Sequence, residues 1–132
     1  MTYKYSKSSA DKLKTCDPRL QAVFQAVLKE IDHTIICGHR NQNDQDTAVA
    51  QGKSKVNWPN SEHNKTPSRA VDAAPYPINW NDRERFTLFA GYVLGVASSM
   101  GVRLRWGGDW DRIYSPKRNR FDDLVHFELD EL

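Results

Sequence analysis

"SEHNKTPSRAVDAAPYP", residues 61–77, changes character half-way along. Its first half is polar, carries Pro67 and shows no apolar periodicity, so it reads as a loop. The stretch "RAVDAA", residues 69–74, is apolar around Asp72 and reads as a short strand that Pro75 and Pro77 bring to an end. The fold class turns on this segment, because it sets a short strand among stretches of helical spacing.

Upstream, residues 17–31 place Leu20, Val23, Phe24, Val27, Leu28 and Ile31 at helical spacing behind an Asp-Pro start. "HTIICG" reads as a short buried strand closed by Gly38, and residues 43–51 as a shorter helix closed by Gly52. The irregular, proline-containing run that follows is the kind of long loop that carries function in a compact domain. Downstream, residues 81–101 begin with the capping pair Asn81 and Asp82 and place Phe86, Phe89, Ala90, Val93, Leu94 and Ala97 on one face before Gly101. "VRLRW" and "LVHFEL" alternate as strands on either side of a second long loop, residues 107–123. Helices around short strands imply an α+β fold: one compact domain with a small antiparallel or mixed sheet flanked by helices.

A chain of 132 residues fits one domain, and with 39% hydrophobic residues, four Trp, five Tyr and five Phe it can fill a core. A net charge of +2 is too small for a nucleic-acid binder, which needs clustered Lys and Arg. It suits a soluble enzyme, including one that approaches an anionic polymer such as a cell wall. No stretch approaches the roughly 18 apolar residues of a membrane span, and residues 1–16 have no apolar leader. Without a secretory leader, Cys16 and Cys37 read as reduced, structural thiols.

The chemistry rests on histidines and carboxylates. A catalytic zinc site takes about three protein ligands, commonly His and carboxylate, and leaves a position open. His63, Asp72 and His126 supply that set. Asp123, three residues before His126, is the candidate general base and acid, and Arg40, after Gly38 and His39, is the candidate cation for an oxyanion. Taken singly, each has a plainer reading. His63 and Asp72 would be a polar loop pair, His126 a satisfied strand histidine, Asp123 a turn cap and Arg40 a surface arginine.

Together these residues carry a resemblance. Ser61, His63, Ala70, Asp72, Asp123 and His126, with "ICGHR" ahead of them, resemble the zinc peptidases that include D-Ala-D-Ala carboxypeptidases and phage L-alanyl-D-glutamate endopeptidases. The chain departs from the commonest form of the motif in its longer His63-to-Asp72 spacing and in Pro67-Ser68. The resemblance implies a zinc-dependent endolysin that cuts the peptidoglycan stem peptide, with the L-alanyl-D-glutamate bond as the expected target. Its rivals are a D,D-carboxypeptidase or dipeptidase with the same site, and a non-catalytic wall-binding module. It further implies a monomeric peptidase over residues 1–132 without a separate wall-binding module, collecting in the host cytoplasm and acting on the wall after membrane opening by another protein.

Other residues fall into place around that reading. His33 and His39 match no ligand position and read as structural or exposed. Asp109 and Asp111 read as turn formers beside Gly107-Gly108, with a second cation such as calcium the costlier account. Trp80, Trp106 and Trp110 are expected in the core or cleft wall, and Glu128 on the side of His126. Lys53, Lys55, Lys65 and Arg69 are expected near the site, where they can hold substrate carboxylates or simply be solvated.

Overall fold

The computed structural model describes residues 3–115 and 122–130; residues 116–121 of the second long loop lie outside the described residues. In chain order the elements are α1 (Lys7–Leu13), α2 (Pro18–Leu28), β1 (His33–Cys37), α3 (Gln42–Ala50), a 3-10 turn (Glu62–Asn64), β2 (Ala70–Pro75), α4 (Arg83–Ser99), β3 (Leu104–Gly107) and β4 (Asp123–Leu129). The strands form one sheet in the order β1-β2-β4-β3, and every neighbouring pair is antiparallel. The α+β expectation holds, and its sheet is antiparallel rather than mixed.

One face of the sheet is apolar because alternate residues of each strand point to it. Ile35, Val71, Ala73, Leu104, Trp106, Phe127 and Leu129 join Leu20, Val23, Phe24 and Val27 of α2 and Phe89, Ala90, Val93 and Ala97 of α4 in one core. Phe127 stands edge-on to both Phe24 and Phe89, with ring centroids 5.5 and 6.1 Å away. The helix stripes legible in the sequence are the faces that meet here. Asp17 caps α2 by accepting from the Arg19 amide, and Asp82 caps α4 by accepting from that of Arg85.

Helix α1 has no counterpart in the sequence reading. It spans seven residues, buries only Ser9 and Leu13, and so presents no apolar stripe to detect. Ser6 caps it, and the Ser9 hydroxyl accepts from the Ile35 amide, which ties the helix to edge strand β1. His33 is buried and structural: its Nδ1 donates to the Ile31 carbonyl, its Nε2 meets the Tyr5 hydroxyl, and burial lowers its pKa.

Pro67 and Ser68, the extra length in the His63-to-Asp72 connection, serve as a dock. Ser68 is fully buried; its amide donates to the Thr15 carbonyl and its own carbonyl accepts from Asp17. The longer loop is thereby fastened to the junction between α1 and α2, so the strand after it starts from a fixed point.

Candidate metal centre and cleft

The other face of the sheet carries the polar cluster. Asp72 of β2 lies directly opposite His126 of β4, which puts both side chains on one face at neighbouring positions. His126 Nδ1 is 3.3 Å from Asp72 Oδ1. His63 arrives from outside the sheet on the 3-10 turn, with its Nε2 3.1 Å from the same oxygen. The three ligand atoms lie within 4.8 Å of one another, and all three residues are buried.

His63 is aimed by its local backbone. Ser61 caps the turn by accepting from the His63 amide, while Asn64 accepts from the Ser61 amide. The Arg40 amide donates to the His63 carbonyl at 2.8 Å, and His63 Nδ1 donates to the Gly38 carbonyl at 2.7 Å. That bond leaves Nε2 as the free lone pair, facing Asp72. Gly38 is required at this crossing, because a Cβ there would stand 2.3 Å from the Lys12 carbonyl oxygen.

His126 is aimed by the mirror arrangement. Its Nε2 is 2.8 Å from Glu128 Oε1, so Nδ1 is the nitrogen left for the cluster. Glu128 is in turn held by Arg105 at 2.8 Å, across the β3–β4 pairing, and Arg105 lies over the Trp110 ring. The Trp110 ring also faces His126, with centroids 5.4 Å apart, so it forms cleft wall while Trp106 joins the core. Two imidazole nitrogens and a carboxylate oxygen, each with its partner atom tied off, fit a borderline divalent cation of the zinc kind.

Without a cation, protons carry the balance. Burial lowers the His63 pKa, but the charge and hydrogen bond of Asp72 overcome this and raise it to about 10. Burial likewise opposes charge on His126, yet the bonds to Asp72 and Glu128 lift it. For Asp72, burial favours the neutral acid, and the two histidines drive its pKa far below the usual carboxylate range instead.

Asp123 and Arg40 both reach this cluster. Asp123 opens β4 opposite Gly107, while the neighbouring residue Trp106 pairs with Phe127. This wide irregularity lets Asp123 turn toward His126 instead of following strand alternation. Gly107 allows the approach, since a Cβ there would meet the Asp123 carbonyl oxygen at 2.1 Å. Burial, with the Asp72 charge second, raises Asp123 to about 6 against the opposing pull of His126, His63 and Arg40. Arg40 Nη2 stands 3.6 Å from Asp72 Oδ2, and its Nη1 donates to Gln45 at 3.0 Å.

The structure thus brings together His63, Asp72, His126, Asp123 and Arg40. It also shows a residue that the sequence did not reveal. Gln45 of α3 is fully buried and accepts from Arg40 and from Asn64 through one oxygen, while its amide nitrogen donates to Ser54 and to the Val56 carbonyl. A glutamine between Asp44 and Asp46 on a polar helix carries no sequence signal of burial. Lys53 and Lys55 line the cleft above His63 and His126, whereas Lys65 and Arg69 do not, Arg69 being paired with Glu62. Asp109 accepts from the amides of Ile113 and Tyr114 and closes a turn, as read from the sequence. His39 sits outside the cluster, near Thr66.

Fold and cluster together define a class: small α+β proteins with a group able to hold a metal at the floor of an open cleft. The sequence model of the phage L-alanyl-D-glutamate peptidase family matches residues 1–130. The L-alanyl-D-glutamate peptidase of Escherichia phage T5 is 33% identical over 116 residues, covering 84% of each chain. This chain therefore belongs to the phage L-alanyl-D-glutamate peptidase family. The crystal structure of the Serratia marcescens L-Ala D-Glu endopeptidase ChiX shares the fold, with a TM-score of 0.75 at 23% identity over 97% of this chain and 90% of that one.

Proposed function

We propose that this protein is a zinc-dependent peptidase that hydrolyses the L-alanyl-D-glutamate bond of the peptidoglycan stem, acting as a monomeric phage endolysin. The single observation that carries the reading is convergence: His63, Asp72 and His126 meet within 4.8 Å, with Asp123 and Arg40 in electrostatic contact with them. Family membership supports the bond and the substrate. The protein is made in the host cytoplasm and acts on the wall during lysis. Among the described residues no helix is long and apolar enough to cross a membrane.

His63 Nε2, one Asp72 oxygen and His126 Nδ1 would hold the zinc. Bound there, zinc supplies a Lewis acid that polarises a carbonyl oxygen and acidifies water near neutral pH. Asp123 takes the proton from the attacking water and passes it to the departing amine, a role that a carboxyl of raised pKa serves well. Arg40 offers fixed N–H donors to the oxyanion as the carbonyl becomes tetrahedral. Gln45 holds the Arg40 guanidinium in place, and the Glu128–Arg105 pair holds His126.

Mass spectrometry of muropeptides from digested peptidoglycan tests this. The wild type with zinc releases new D-Glu amino termini, whereas a chelator, His63→Ala and Asp123→Ala each prevent it. Release that survives chelation refutes the zinc mechanism, and loss of terminal D-Ala in its place makes the protein a D,D-carboxypeptidase.

A further inference from the structure

On the peptidase reading above, we infer that Trp80 is a stacking platform for the muramyl sugar of the glycan strand. The cleft then binds the sugar to which the stem is attached as well as the peptide.

Trp80 differs from Trp106, which is in the core, and from Trp110, which lies against His126. It is 63% exposed, and one face of its ring is stacked on Phe86, with centroids 5.9 Å apart and planes 22° from parallel. Phe86 is buried near the start of α4, so one face of the indole is covered while the rest is open. Exposure alone would carry little, since single apolar residues are common on surfaces. Placement and support set this one apart.

Trp80 borders a hollow of about 770 Å³ that Arg40, Asp72 and Asp123 also line, so the hollow adjoins the metal-binding cluster. Its volume falls in the range of small-ligand sites, roughly 300–1,000 Å³. Among the described residues Trp80 is the one aromatic on its wall. Asp44, Thr47 and Gln51 line it too, and their helical spacing puts a carboxylate, a hydroxyl and an amide on one side of α3 and its C-cap.

The segment that carries Trp80 is fixed before any ligand arrives. Arg85, in the first turn of α4, donates to the Tyr76 carbonyl at 2.6 Å and also to that of Pro77. The Asp82 amide donates to the Asn79 carbonyl at 3.1 Å, closing the turn in which Trp80 sits. A ring already held in the free protein costs little ordering on binding.

A pyranose suits such a wall. Its C–H groups make an apolar face that packs on an indole, while its hydroxyl and acetamide groups need polar partners. In a peptidoglycan stem the alanine is joined to the muramyl sugar through a lactyl group. Alanine and lactyl, about 7 Å when extended, are therefore all that separates the scissile carbonyl from the sugar. A bond seated at the cluster brings the sugar into an adjoining hollow, and Trp80 with the polar side of α3 marks the one that suits it. Stacking there adds binding energy from a part of the substrate that does not react.

Three synthetic stem peptides test the inference, identical except for the cap on the alanine nitrogen, which is N-acetylmuramyl, acetyl or cyclohexanecarbonyl. The zinc-loaded wild type is expected to cleave the muramyl peptide about tenfold better in kcat/KM than the other two, chiefly through KM. In Trp80→Ala the preference disappears, whereas Trp80→Tyr, which keeps a flat ring, retains most of it; unchanged far-UV circular dichroism shows that both variants fold. Equal cleavage of the muramyl and acetyl peptides by the wild type overturns the inference, as does a muramyl preference that persists in Trp80→Ala. An equal gain from the cyclohexyl cap makes Trp80 a general apolar contact and overturns the assignment to a sugar. Loss of the same factor on all three peptides in Trp80→Ala makes the residue a support of the site and overturns it too. Cleavage of none of them by the zinc-loaded wild type is a separate result, because it refutes the peptidase reading itself and the inference with it.

Discussion

Asp123 is destabilising in the fold for the same reason that it suits the proposed reaction. Burial and the neighbouring Asp72 charge raise its pKa to about 6 in the folded protein, against an ordinary value near 4. Folding therefore favours the protonated carboxyl. The stability this group contributes is full below pH about 4 and is lost as pH rises through about 6. In metal-free protein Asp123→Asn should be more stable than wild type at pH 8, by roughly 1–2 kcal/mol, with the two converging below pH 4. Urea denaturation in the presence of chelator, at both pH values, measures the difference. The same substitution should lower kcat by about a hundredfold or more, since general acid–base catalysis is worth roughly that much. A variant that loses activity without gaining stability at pH 8 would mean that Asp123 is not desolvated as described. At this scale the candidate site was legible beforehand, because side-chain chemistry is local: two histidines, two acids and an arginine at these spacings suit few purposes.

Helix α3 is the element through which the cleft is organised, although it contributes nothing to the apolar core except the buried edge at Ala48. Its Gln45 uses its acceptor on Arg40 and Asn64 and its donor on the lysine loop, so two substitutions separate the tasks. Gln45→Glu keeps the acceptor and loses the donor; kcat should stay within a few-fold while KM rises. Gln45→Leu loses both, and kcat should drop by about ten- to a hundredfold in addition, as Arg40 loses its alignment. Equal effects of the two variants on kcat and KM would refute the division. Strand β4 bears a parallel prediction. Glu128→Leu releases His126 Nε2 and should weaken zinc binding by about ten- to a hundredfold, read by competition with a chromophoric chelator. Gln45 lies in a polar run that gives no sign of its role, whereas strand alternation already sets Glu128 on the side of His126; only its brace, Arg105, depends on the pairing of strands.

The whole molecule divides its labour between the two faces of one sheet. Helices α2 and α4 and the aromatic core lie on one face, and the cluster lies on the other. Chelation should therefore abolish activity reversibly while leaving the far-UV circular dichroism unchanged. It should also lower Tm, since a ligand that binds only the folded state stabilises it by about 4 kcal/mol at a thousand times its Kd. Collapse of the dichroism on chelation would show that the metal holds the fold and not only the site. Apolar periodicity and capping residues sufficed to determine α2, α4, the four short strands and the α+β class, because these follow from hydrophobic spacing within each segment. The identities of His63, Asp72, His126, Asp123 and Arg40 were likewise written in the chain. The tertiary structure alone decided three things: the register that sets Asp72 against His126, the docking of Ser68 that anchors the longer loop, and the reach of Gln45 to Ser54 and Val56 of the cleft loop. Each depends on contacts between segments distant in sequence, and distance through space is what a one-dimensional pattern does not contain.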